Sequence, residues 1–321
     1  MDGQTTNIET NFNSSLAETS SKKREAPDKR AVLGVILMAL TGVGYGIQAP
    51  LIKLAYNNGA TSSTMLVLRF SIAALAVWIL LLGRRTPMHL PTRKKALSLL
   101  LGALFITNSL FFYLALTFME VGTATLLVYC FPALVVLWST LIFKEPLSRG
   151  RLLALLLSLL GCALTVDPWA ILGTAVGFSW VGALLSFGSA FSNSWYTTLA
   201  GHFGRGVPGM VSAGYGLPVT AVGFWIWGLI GGGLKFDMSL AAWAFCLTIG
   251  LLTIFCVVAG LIGLSLAGSS RGAVAITTEP AVVVLLGILL LGEEMSLIKL
   301  AGGVLILTAV VILSRPRPAS K

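Results

Sequence analysis

Charge is what this chain has least of. Asp, Glu, Lys and Arg together make up 11% of its 321 residues, against about a quarter in a soluble globular domain. A solvated, charged surface is therefore excluded. Histidine is scarcer still: His89 and His202 both fall in expected loops. Gly268-Ser269-Ser270-Arg271-Gly272 fits the GxSxG nucleophile pattern, but no strand precedes it and no histidine stands ready as a base, so a hydrolase is disfavoured. There is no Walker loop, no HExxH and no metal-ligand cluster. The chain is expected to bind no nucleotide for energy and no cofactor or metal. The four cysteines, Cys130, Cys162, Cys246 and Cys256, show no CxxC spacing and read as small buried hydrophobes rather than disulfides.

What fills the chain instead is apolar sequence, at 56% of residues. Several uninterrupted runs reach about 20 residues, enough to cross a hydrocarbon core of about 30 Å as a helix. The expectation is an all-α polytopic membrane protein. Ten spans are expected, near 33–55, 62–82, 96–116, 121–142, 150–167, 177–199, 208–230, 241–266, 271–291 and 297–313. Residues 1–31 are polar and end in a mixed-charge cluster, so they read as a disordered cytoplasmic tail, and residues 315–321 as a second tail. The net charge of +10 sits in short loops and tails. It suits anionic headgroups and topology better than nucleic acid: Arg84, Arg85, Arg93, Lys94, Lys95, Lys144, Arg149 and Arg151 mark even-numbered loops, which with both termini should be cytoplasmic. The membrane expected is of the bacterial inner (cell) membrane type.

One stretch occurs twice. Displacing the sequence by 148 positions pairs Pro132 with Pro280, Ala133 with Ala281, Val135 with Val283, Leu141 with Leu289, Glu145 with Glu293 and Ser148 with Ser296. Nine identities fall in this window of 21 residues, where shared composition would give roughly three. An internal duplication follows, with repeats at 32–168 and 177–314. Five spans per repeat is an odd number, so the second copy should enter the membrane inverted, Glu145 and Glu293 capping opposite faces.

Polar residues at membrane depth are the candidate site. Arg69 and Glu279 are the ionisable residues expected deepest; each is costly there, so each should meet a polar cavity or a partner. They read either as substrate-binding or proton-coupling groups, or as structural ties. Pro132 and Pro280 are expected to kink their helices in mid-span and free carbonyls near Val128 and Ile276, which a cavity water, a solute or a neighbouring hydroxyl would have to satisfy. Tyr45, Gln48, Asn108, Tyr113, Asn193, Trp195 and Tyr196 are too polar to face lipid. They would suit a small organic solute with a ring or amphipathic body, or else interhelical hydrogen bonds and an interfacial belt. Glu120 and Lys53 read as interfacial.

These residues resemble the EamA family of the drug/metabolite transporter superfamily. Gly44-Tyr45-Gly46-Ile47-Gln48 with Lys53 is similar to its first-span signature, with Tyr45 where a Trp is usual, and Arg69-Phe70 to its second-span pair. Leu114-Ala115-Leu116, Pro132 and Glu145-Pro146-Leu147-Ser148 resemble the close of its first repeat, and Glu279-Pro280 with Leu291-Gly292-Glu293 that of its second. The resemblance implies ten helices in two inverted five-helix repeats. It implies export of amino acids or related small metabolites by a secondary carrier, usually ascribed to the proton gradient. The partners expected are a small-molecule substrate and the lipid bilayer, with no nucleic acid, and a homodimer is compatible with the pattern. Uptake, exchange of an organic ion, a channel or a membrane-embedded enzyme are the alternatives.

Overall fold

A computed structural model describes residues 29–142, 144, 149–165, 179–204, 206–231, 233–267, 275–276 and 278–313. The N-terminal tail, Glu145 and the GxSxG stretch at 268–272 lie outside them. The described residues form eleven helices: α1 Lys29–Asn57, α2 Ser62–Gly83, α3 Thr92–Phe118, α4 Val121–Val128, α5 Phe131–Leu141, α6 Arg149–Thr165, α7 Trp180–Phe203, α8 Gly209–Ile230, α9 Leu240–Ala267, α10 Thr278–Leu291 and α11 Leu297–Leu313. Six segments are long and apolar enough to cross a membrane: α1, α2, α3, α8, the run Val121–Trp138 across α4 and α5, and Leu240–Gly263 of α9. Shorter apolar helices cover Leu152–Gly161, Thr278–Leu291 and Leu297–Ile312. Helix α7 has the length, at 24 residues, but carries Ser186, Ser189, Ser192 and Ser194, all buried. Large apolar side chains stand outside, Leu184, Leu229 and Leu240 among them, as hydrocarbon surroundings allow and water does not. The chain is an all-α polytopic membrane protein.

The expected fourth span is not continuous. Its helix stops at Val128, turns at Tyr129 and Cys130, and restarts at Phe131. Pro132 therefore sits in the first turn of α5 rather than at a mid-helix kink, and Pro280 likewise occupies the first turn of α10. Proline lacks the N–H that a first turn cannot bond within the helix, so these positions cost it nothing. The carbonyl of Ile276 is not free either: it accepts the Glu279 N–H at 3.0 Å. The prolines that helices do run through are Pro50 in α1 and Pro218 in α8. The cysteines also divide differently from expectation. Cys246 and Cys256 are free and buried, whereas Cys130 is disulfide-bonded.

Packing interleaves distant parts of the chain. Helix α1 lies against α9 and α10, and α7 against α3, α4 and α5; α2 meets α8 and α9, α8 meets α3, and α6 pairs with α11. Close approach is what holds such helices together where lipid removes the hydrophobic drive. On α1, a Cβ added at Gly42 would stand 2.2 Å from Thr278 Oγ1 and one at Gly46 2.7 Å from Val282 Cβ, so glycine is required for α10 to rest on α1. Aromatic rings tie α2 to α8 and α3: Phe70 stacks on Phe224 at 5.2 Å and meets Phe105 edge-on at 5.7 Å. Each such pair contributes about 0.5–1.5 kcal/mol beyond its buried area.

Candidate functional site

Arg69 is set on α2 beside the Phe70 anchor, and its guanidinium lies 5.2 Å from the Phe70 ring centre and 5.6 Å from that of Tyr113. Nη1 donates to the Tyr113 hydroxyl at 2.9 Å and Nε to Thr253 Oγ1 at 3.0 Å. Thr253 in turn donates to its own helix at Ile249 O, 2.8 Å, with Gln48 Oε1 as a second acceptor at 3.3 Å. Gln48, 2% exposed, reaches the Cys256 sulfur with Nε2 at 3.8 Å. One cation is thus held by α1, α3 and α9 entirely through neutral groups.

Glu279 is positioned by a different device. It falls in the first turn of α10, where the helix dipole favours an acid, and Oε2 accepts the Tyr129 hydroxyl at 2.9 Å. Tyr129 stands at the break between α4 and α5, so the turn that interrupts the span is also what presents its phenol. Arg69 lies within electrostatic range of Glu279, yet the two form no ion pair. Tyr45 stands within electrostatic range of Arg69, Glu279, Cys256 and Tyr196. A cation and an anion are thus each bonded to a phenol rather than to one another.

The remaining expected residues gather along α7 and the helices it packs against. Trp195 stacks on Trp138 at 5.2 Å, and Phe191 meets Trp138 edge-on at 5.5 Å. The Trp138 indole N–H donates to Ser194 Oγ at 2.9 Å. Tyr196 packs on Phe105 at 5.5 Å, which joins this group to Phe70 and so to Arg69. Asn108 accepts from Ser189 Oγ at 2.7 Å, and Asn193 is half-buried on α7. Pro132 is partly exposed and Pro280 is buried. Among the described residues no group of His, Cys, Asp and Glu could hold a metal ion.

Sequence reasoning missed Tyr129, Thr253 and Trp138. Thr253 is one of two threonines in an apolar run, and Tyr129 precedes the repeat-marking Pro132 by three residues; both signals were available. Lys53 and Glu120, read as interfacial, are engaged at one rim: Lys53 Nζ donates to Leu116 O at 2.6 Å and Met119 O at 3.0 Å, and Glu120 pairs with Lys299 at 2.7 Å.

The family model for the EamA-like transporter family matches this chain twice, at residues 32–167 and 180–315. Among curated proteins, an uncharacterized inner membrane transporter, YicL of Salmonella typhimurium, is 27% identical over 300 residues, covering 89% of this chain and 95% of the relative. An uncharacterized transporter, YcbK of Bacillus subtilis, is 25% identical over 297 residues, covering 89% and 92%. A solved crystal structure superposes with a TM-score of 0.60 at 20% identity, over 86% of this chain and 95% of that one, which shows a shared fold. Two matches that together span nearly all of the apolar region leave one conclusion: the chain belongs to the EamA-like transporter family of the drug/metabolite transporter superfamily, whose members are membrane transporters rather than enzymes.

Proposed function

We propose that this protein is a secondary carrier of the inner (plasma) membrane that exports amino acids or related small organic metabolites by alternating access, coupled to protons through Glu279. The observation that carries the reading is the unpaired couple of Arg69 and Glu279. Each meets a tyrosine hydroxyl instead of the other, and Tyr45 stands within electrostatic range of both. A zwitterionic or charged solute would find a counter-charge for either end, and the Trp138–Trp195 wall would take an apolar body.

The architecture we infer is ten spans in two inverted five-helix repeats, with α4 and α5 together forming the fourth. Its support is that the helix pairing maps onto itself when each span is exchanged with its counterpart five spans away: α1 with α9 becomes α7 with α3, α1 with α10 becomes α7 with the α4–α5 span, and α2 with α8 and α6 with α11 are self-paired. The even loops and both termini are cytoplasmic in this reading, from the placement of Lys and Arg.

The test is a metabolite-toxicity screen in cells overexpressing the protein, followed by flux of the identified solute in proteoliposomes under an imposed pH gradient. Overexpression should confer resistance to the solute, and Glu279→Gln should abolish gradient-driven flux. Unchanged gradient dependence in that variant would remove Glu279 from coupling.

A further inference from the structure

The corner between α3 and α4, Met119 to Gly122, is held by charged side chains from three other elements. Helix α4 has only eight residues, and its first N–H groups have no partner within the helix. Glu120 occupies its N-cap position but makes no cap bond, because its carboxylate is engaged by Lys299 of α11. The cap comes from far along the chain. Glu293, in the turn between α10 and α11, accepts the Val121 N–H on Oε1 at 2.6 Å and the Gly122 N–H on Oε2 at 3.0 Å.

The place for this carboxylate is built. Gly292 ends α10 at φ +65°, a backbone open to glycine, and the turn it makes sends the Glu293 N–H to Gly287 O at 3.1 Å. A Cβ at Gly287 would stand 2.6 Å from Glu293 Oε2, so only glycine there leaves room. From the other side, Lys53 of α1 holds the end of α3 through two carbonyls. A cavity of about 300 Å³, lined by Lys53, Tyr56, Thr61, Leu116 and Thr117 among others, leaves that end of α3 incompletely packed.

Helix α4 packs on α7 and also meets α10, which rests on α1, so the contact between α4 and α10 joins the α7 bundle to the α1 bundle. We infer that Glu293 is a releasable latch between these two bundles: docked on the α4 amides it closes this rim, and access to the Arg69–Glu279 site from the Glu293 side requires the carboxylate to leave them. The inference rests on the alternating-access reading. It uses a bond that two bundles moving apart must break.

Hydrogen exchange on the full-length protein in nanodiscs reads the latch without a substrate. In Glu293→Ala, the amides of Val121 and Gly122 should exchange about tenfold faster or more than in the wild type, with the segment around Arg69 unchanged as a check on folding. Cys256, free and buried beside Gln48, is a native probe of the site. An impermeant maleimide added on the Glu293 side should modify it about tenfold faster in the variant, while the rate from the opposite face should not rise. Unchanged amide exchange, or Cys256 labelling that is equal in the two proteins or faster from both faces, would overturn the latch. Lys299→Met, which leaves the Glu293 bonds intact, should reproduce neither effect. A failure of the transport reading looks different: flux would be missing in both proteins while the exchange difference persisted.

Discussion

Two polar clusters in this molecule solve the same problem in opposite ways. At the rim, carboxylates meet opposite charge or backbone amides: Glu120 takes Lys299, and Glu293 takes two N–H groups. In the centre, Arg69 and Glu279 meet only neutral hydroxyls and aromatic rings. The rim arrangement neutralises charge where it stands. The central one leaves a positive and a negative group bonded to neutral partners rather than to each other, an arrangement that is costly wherever water is excluded. In the transport reading proposed above, the central pair is the one with interaction strength left for a solute.

Three substitutions test that contrast. The largest effect is expected from Arg69→Leu, which deletes the cation and strands Tyr113 and Thr253. Flux of the screened solute in proteoliposomes should fall about a hundredfold or more, as expected for loss of charge-assisted bonds in a buried site, with the protein still monodisperse. Retained flux would make Arg69 a structural tie. Next comes Tyr129→Phe, which removes the one hydroxyl on Glu279 and keeps the ring. A loss of about tenfold in apparent solute affinity is expected; an unchanged value would place the phenol outside the working site. The smallest effect belongs to the rim. Lys299→Met should cost about 1 kcal/mol or less, as a partly exposed ion pair does, read as a shift of a few degrees at most in thermal unfolding. A larger loss there would erase the distinction between the clusters.

The membrane class and the duplication around Pro132 and Pro280 were legible in the chain, and so was the need of Arg69, Glu279 and Gln48 for polar partners, because a polar residue in an apolar run stands out against its own neighbours. What was not legible depends on partners far away in sequence. Glu293 looked like a loop residue since nothing near it reveals that α4 starts without a cap. Glu120 and Lys299 are 179 positions apart, and no local pattern joins them. The prolines were placed correctly on the chain but given the wrong mechanics: the turn at Tyr129 and Cys130 comes first, and Pro132 merely tolerates the restart that follows. The bond at Cys130 was missed for the same reason, since spacing carries no information about a neighbour brought in by folding.

The glycines of α1 have a consequence for how the protein is made. Gly42 and Gly46 are shaped for α10, and α1 also lies along α9, so α1 faces elements synthesised some two hundred residues later. Until then its smooth side has only lipid, and no assembly intermediate made from the early helices alone can be native. Folding must wait for the last third of the chain, and its rate should be governed by a late docking step rather than by insertion.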